Sequence, residues 1–266
     1  DTNTNNEPST LNIELKHTEY TDAIYYNRLK DKMIVNTLYG LDYPNQQAIL
    51  TDIIINTINS GVGLINYIGH GTHNDLAHED ILVLDRDIDL INTNNRPPIW
   101  VVGTCKFGHY SNNNNEISFT EELLKRNDAA IAVIATTTGI LPTDSFNYLD
   151  AFYNALSLYL ESSETISRIG DIFKSAKSTN EINHDCVNFT YQLFGDPALP
   201  IMIAKQANDN GIFDSPNQII TGEKNSLNID YQGESYIKIV SDDIIISNND
   251  LIDYRSSGGT LFESYF

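Results

Sequence analysis

Two residues of complementary chemistry stand at the ends of short apolar runs. His70 follows VGLINYI (62–68) between Gly69 and Gly71, and Cys105 follows IWVVGT (99–104). A nearly continuous apolar run of this length reads as a strand covered on both faces. Two such strands lying side by side in parallel would carry an imidazole and a thiol to one edge of the sheet. A cysteine nucleophile needs a base or an imidazolium nearby to raise its thiolate fraction. A glycine after the histidine leaves a backbone N–H open to a developing oxyanion. The alternative stays open: Cys105 as an ordinary buried cysteine, one of the most buried residue types, and His70 as a turn residue.

Other constellations point to weaker chemistry. The segment from His70 to Asp80 holds His70, His73, Asp75, His78, Glu79 and Asp80, enough ligand types for a metal-dependent hydrolase. Its spacing matches no H-E-x-x-H motif, so His73 and His78 read as loop or rim residues of a cleft. The acidic turns at Asp85, Asp87 and Asp89, at Asn112–Asn115 and at Asp242–Asp243 leave room for a structural calcium ion but lack the twelve-residue EF-hand pattern. Gly61 and Gly63 lack both a third glycine and a preceding strand, so no dinucleotide fingerprint is present. Ser145 and Thr136–Thr138 have no G-x-S-x-G context.

The elements that must position these residues alternate. Ile49, Ile53, Ile54 and Ile58 share one helical face between Pro44 and Gly61. Ser118 and Glu121 form a capping box that opens a helix. AAIAVIA (129–135) reads as a third buried strand, and helical periodicity returns at Phe146, Leu149, Tyr153 and Leu156 and again at Ile166, Ile169, Phe173 and Ala176. LPIMIA (199–204) reads as a fourth strand. Strands alternating with helices of 10–17 residues predict an α/β fold with a largely parallel sheet, whose function belongs at the carboxyl ends of the strands. Residues 1–23 are polar and read as a lead-in or the remnant of a missing part. Residues 205–266 hold short strands (IIT, LNIDY, SYIKIV, DIIIS) without helical pattern and read as the start of a β-sandwich domain.

The chain has 266 residues, with 16 basic against 36 acidic side chains and a net charge of −20. That balance leaves no basic face and argues against a nucleic-acid partner. With 41% apolar residues the chain can bury a core, and no apolar run reaches the length of a membrane span. The sequence starts with Asp and shows no signal peptide, which reads as a mature or truncated piece; its acidity suits a secreted or surface protein. The two cysteines, Cys105 and Cys186, are too few for a disulfide framework, and a bridge between them would occupy the proposed nucleophile.

Taken in order, Tyr43-Pro44, NQQAI, INYIGHG (65–71), LAHEDIL (76–82), TCKFGHY (104–110), the Thr-rich turn after AIAVIA, RIGDIFKSAK (168–177) and LFGDPALPI (193–201) resemble the gingipain-type C25 cysteine peptidases. Within that family the pattern is most like the PorU-like sortase branch of type IX secretion systems. The resemblance runs from about Ile24 to Ala204. It implies a caspase-like, three-layer α/β/α catalytic part over residues 24–204, a Cys105–His70 dyad, and an oxyanion hole from the Gly71 and Cys105 amides. It implies a post-catalytic β domain after residue 205 and no cofactor beyond a structural calcium at most. It also implies action at the cell surface or outer membrane on proteins with C-terminal sorting domains, with other type IX components as partners and acyl transfer to lipopolysaccharide as an option. Leu76 stands where relatives commonly carry Trp, and the residues after Cys105 also differ, which bears on the substrate pocket. The family acid that orients the histidine from upstream maps onto no single residue; Glu14, Glu19 and Asp22 are upstream, and Glu79 and His109 are nearer candidates for a supporting or pocket role. A non-catalytic surface scaffold with the same fold is the remaining alternative.

Overall fold

The computed structural model describes residues 8–30, 32–110, 117–161, 167–179, 189–201, 213–214, 224–229, 233–241, 244–254 and 260–265, with side chains from residue 15 to 201 within those ranges. Cys186, Asn112–Asn115, Asp242–Asp243 and the IIT run lie outside the described residues. The chain divides into two units, residues 1–206 and 207–266.

In the first unit, four strands form one sheet: β1 (Leu64–Ile68), β4 (Ile99–Gly103), β5 (Ala132–Thr136) and β6 (Tyr191–Gly195), in the spatial order β1-β4-β5-β6. A small antiparallel pair, β2 (Asp75–Leu76) and β3 (Leu82–Val83), lies between β1 and β4 in the chain. β1, β4 and β5 run parallel, and β6 runs antiparallel to β5. Side-chain alternation along the strands divides the core in two. Ile99, Val101, Ala132 and Ile134 face α5 (Pro142–Glu161) and α6 (Ile169–Lys177). Trp100, Val102, Val133 and Ala135 face α2 (Gln47–Asn59) and α4 (Phe119–Lys125). Helices therefore cover both faces, which explains why these strands read as unbroken apolar runs. The result is an α/β/α arrangement consistent with a caspase-like fold.

The capping box forms as the sequence predicts: the Ser118 hydroxyl accepts from the Glu121 N–H and the Glu121 carboxylate accepts from the Ser118 N–H. Two expectations change. The fourth strand is YQLFG at β6, not LPIMIA. Pro200 has no N–H for a ladder, and residues 199–201 instead seat the start of α6: Ile169 N–H donates to Leu199 O at 2.9 Å and Ile201 N–H to Ser167 O at 3.0 Å. The apolar character there comes from Ile201, buried in the α5/α6 core; residues 202–204 lie outside the described residues. The polar lead-in is helical from Pro8, as α1 (Pro8–Ile24), followed by one wide turn, Tyr25–Leu29. Tyr20 stacks on Phe146 of α5 at 4.3 Å, and Arg28 grips Asp150 of α5 with two hydrogen bonds, at 2.9 and 2.7 Å, and Asn154 at 2.9 Å. Docking on α5, rather than its own apolar pattern, holds α1.

The second unit consists of antiparallel strands. β9 (Gly233–Ser241) pairs with β10 (Ile244–Tyr254), and β8 (Lys224–Ile229) lies between β7 (Phe213–Asp214) and β11 (Thr260–Tyr265). Among the described residues no helix is long and apolar enough to cross a membrane.

Candidate active site

The register of β1 and β4 brings His70 and Cys105 to one place. Ile68 lies opposite Gly103, so His70 and Cys105 each stand two residues beyond a matched pair on neighbouring parallel strands. Gly69 N–H extends the ladder one step further, to Gly103 O at 3.4 Å. Gly71 packs against Thr104: a Cβ on it would lie 2.9 Å from Thr104 Oγ1 and 2.7 Å from the Asp75 carbonyl. A glycine is required there for close approach rather than for an unusual φ. Among the described residues, neither the Gly71 N–H nor the Cys105 N–H meets an acceptor, which leaves two donors at this edge.

Cys105 is a free, half-buried thiol. Its S–H donates to the Ile140 carbonyl and its sulfur accepts from the Ile140 N–H, both at 3.5 Å. Lys106 follows with φ of 60°, a left-handed turn that is uncommon for a residue with a side chain. The turn is pinned by Lys106 N–H to Thr138 O at 3.1 Å and Gly108 N–H to Thr136 O at 2.8 Å. Tyr191, near enough to Cys105 for its charge to matter, is buried and shares a 2.8 Å hydrogen bond with Ser145 Oγ, and burial drives that phenol's pKa well up.

His70 lies among rings. His78 stacks on it at 4.3 Å with an interplanar angle of 16°, and His17, from α1, meets it edge to face at 5.0 Å and 82°. The carbonyl of His70 accepts from Tyr67 Oη at 2.7 Å and from the Ala77 N–H at 2.8 Å, which fixes the backbone that carries the ring. Burial, and next the neighbouring His78, lower the His70 pKa, while Glu79 acts in the opposite direction. Both causes favour the neutral imidazole, the form able to take a proton. Both Glu79 carboxylate oxygens are buried without a hydrogen-bond partner. Ala77 and Asp80, both with left-handed backbone, bracket His78 and Glu79.

The remaining expected residues fall elsewhere. His109 Nδ1 lies 3.0 Å from Thr137 O and braces the turn after Cys105. Asp22 accepts from Tyr39 Oη at 2.5 Å and Glu19 is exposed, so neither is tied to His70; the Glu14 side chain lies outside the described residues. Asp87 is occupied by Arg86 and the Val83 N–H, and Asp89 by Arg126. Among the described residues no three His, Cys, Asp or Glu side chains are arranged to hold a metal ion. Of the histidines in the 70–80 segment, His70 and His78 stack face to face. Leu76 is core, 2% exposed. Sequence reasoning missed His17. Its only signal was that it is the one histidine in the region preceding the first predicted helix.

The family model of peptidase family C25 matches residues 2–202, and the chain belongs to this family of cysteine peptidases. Among solved structures, the Arg-specific cysteine proteinase gingipain R (RgpB) is similar at 16% identity and a TM-score of 0.50, covering 85% of this chain and 56% of that one. The complex of Porphyromonas gingivalis RgpB pro- and mature domains matches at 16% identity and a TM-score of 0.48, covering 84% of this chain and 57% of that one. The chain thus spans little more than half the length of these structures. No curated protein matches it.

Proposed function

We propose that the protein is a cysteine peptidase in which Cys105 is the nucleophile and His70 its base. The observation that carries this reading is the matched placement of His70 and Cys105 just beyond β1 and β4, beside two N–H groups that meet no acceptor among the described residues. Neutral His70 takes the thiol proton as Cys105 Sγ bonds to the scissile carbonyl carbon. The carbonyl oxygen becomes an oxyanion held by the Gly71 and Cys105 N–H groups, where loss of one donor costs about 3–4 kcal/mol. The C–N bond then breaks, His70 returns the proton to the departing amine, and a thioester remains on Cys105. Water or a second amine releases the acyl group. Glu79, which favours the protonated form of His70, supports the imidazolium stage. His109 shapes the pocket wall by holding the turn after the nucleophile.

The substrates are proteins. The order of motifs around the site further supports a sortase that removes C-terminal sorting domains from type IX secretion substrates at the cell surface. Transfer to an amine of lipopolysaccharide is then the second fate of the thioester, and residues 205–266 begin a β-sandwich domain that follows the catalytic part in the chain.

The test is incubation with a fluorogenic peptide library and with an exported protein bearing a sorting domain. Cys105→Ala and His70→Ala, both folded by circular dichroism, should each lose turnover. Retained cleavage by Cys105→Ala would sink the dyad.

A further inference from the structure

We infer that His17, carried by α1, is a positioning residue for His70: its ring sets the tilt and the dryness of the imidazole that serves Cys105. The inference deepens the peptidase reading and rests on it. Four observations carry it. His17 is 7% exposed although it comes from a polar segment. Its ring meets that of His70 at 5.0 Å and 82°, while His78 covers His70 at 4.3 Å and 16°. Its Nδ1 is buried without a hydrogen-bond partner, so the ring is not placed there to satisfy a backbone group. Its helix is anchored on α5 by the Tyr20–Phe146 stack and, through the turn that follows it, the Arg28–Asp150 pair. The helix that seats His17 is thus fixed to the main body of the fold by a ring stack and a paired guanidinium.

Among the described residues, His78 and Glu79 from the turn after β2 and His17 from α1 act on the His70 ring, while Tyr67 on β1 holds its backbone carbonyl. Burial lowers the His17 pKa to about 4, with His70 and His78 adding to the effect, so His17 brings a ring and no charge to the imidazole at neutral pH. A carboxylate at this position would instead draw a proton onto His70 before the thiol offers one. An aromatic ring confines the imidazole and keeps water from it while leaving it free to accept.

The experiment follows iodoacetamide alkylation of Cys105 from pH 5 to 9, by peptide mass spectrometry, together with NMR titration of histidine ring carbons. It compares the wild type with His17→Ala, His17→Phe and His70→Ala. His17→Ala should slow Cys105 alkylation at pH 7 by about tenfold, as expected for a misplaced base, and should move the His70 midpoint upward toward 6.5. His17→Phe, which restores ring and dryness, should stay within about twofold of wild type and keep the His70 midpoint. If His17→Ala does not fold, His17→Gln against His17→Phe decides, with loss expected in Gln alone. Wild-type alkylation and an unmoved His70 midpoint in His17→Ala, alongside loss in His70→Ala, overturn this inference alone. No change in His70→Ala overturns the dyad as well.

Discussion

Replacing Gly71 by alanine tests the site with a single methyl group. The new Cβ would lie 2.7 Å from the Asp75 carbonyl oxygen, against an ordinary contact of 3.4 Å, and 2.9 Å and 3.1 Å from two atoms of Thr104. About 0.7 Å of separation must be found between backbone segments that have little freedom. The Asp75 carbonyl already accepts the Thr72 N–H at 3.0 Å, and the His70 carbonyl is tied twice, so the displacement falls on the Gly71 amide and the base of the His70 ring. Overpacking of this kind costs about 2 kcal/mol, a fall in Tm of roughly 4–8 °C for a domain of this size. On the proposed role of the Gly71 amide, a donor moved by that distance no longer reaches the oxyanion, so turnover of a fluorogenic peptide should fall about a hundredfold. Gly139→Ala is the matched control: nothing lies within 4 Å of its Cβ and its φ is not positive. It should leave Tm unchanged or raise it, by about 0.4–1 kcal/mol of stability. The assay pairs differential scanning fluorimetry with peptide turnover for both variants. Equal Tm and turnover for Gly71→Ala and wild type would refute the close approach and the role of that amide.

Three further outcomes follow from the same geometry. Because burial holds the His17 pKa near 4 and the unfolded chain titrates at 6.5, the unfolded state binds more protons between those values. Stability should therefore decline as pH drops from 6.5 to 4, by up to about 3 kcal/mol, and denaturant melts of His17→Phe should show a shallower decline. Arg28→Ala removes two bonds to Asp150 and one to Asn154 at a half-buried site. It should cost about 1–2 kcal/mol and increase hydrogen exchange in α1 before it does so in β4 or β5. Ser118→Ala removes the reciprocal cap of α4 and should cost about 1 kcal/mol in a chemical melt.

The sheet was legible where burial on both faces wrote itself as an apolar run. β1 and β4 could be read directly, and with them the shared edge of His70 and Cys105. The reading failed where apolarity had another cause. Leu199 and Ile201 are apolar because they pack under α6, while β6, with Gln192 and a partly exposed face, reads as weaker than the true edge strand it is. α1 was illegible because its stability comes from Arg28, Tyr20 and α5 far along the chain, not from its own periodicity. His17 was hidden with it. Contacts between residues 17 and 70 leave no local pattern, since each partner is unremarkable among its neighbours.

The two-residue overhang beyond the β1–β4 register has a consequence for how such chains can vary. The distance in sequence between His70 and Cys105 carries no constraint of its own, because the sheet and not the connecting chain aligns them. Homologues can lengthen or shorten the exposed turn Asn94–Arg96 without disturbing the pair, whereas the β2–β3 segment is tied to it by the Ala77 N–H on the His70 carbonyl and the His78 ring on the imidazole. One residue gained or lost between Ile68 and His70, or between Gly103 and Cys105, would break it. Alignments of related chains should thus be anchored on the strand ends, and a designer seeking to lengthen the connection has the exposed turn Asn94–Arg96 in which to work.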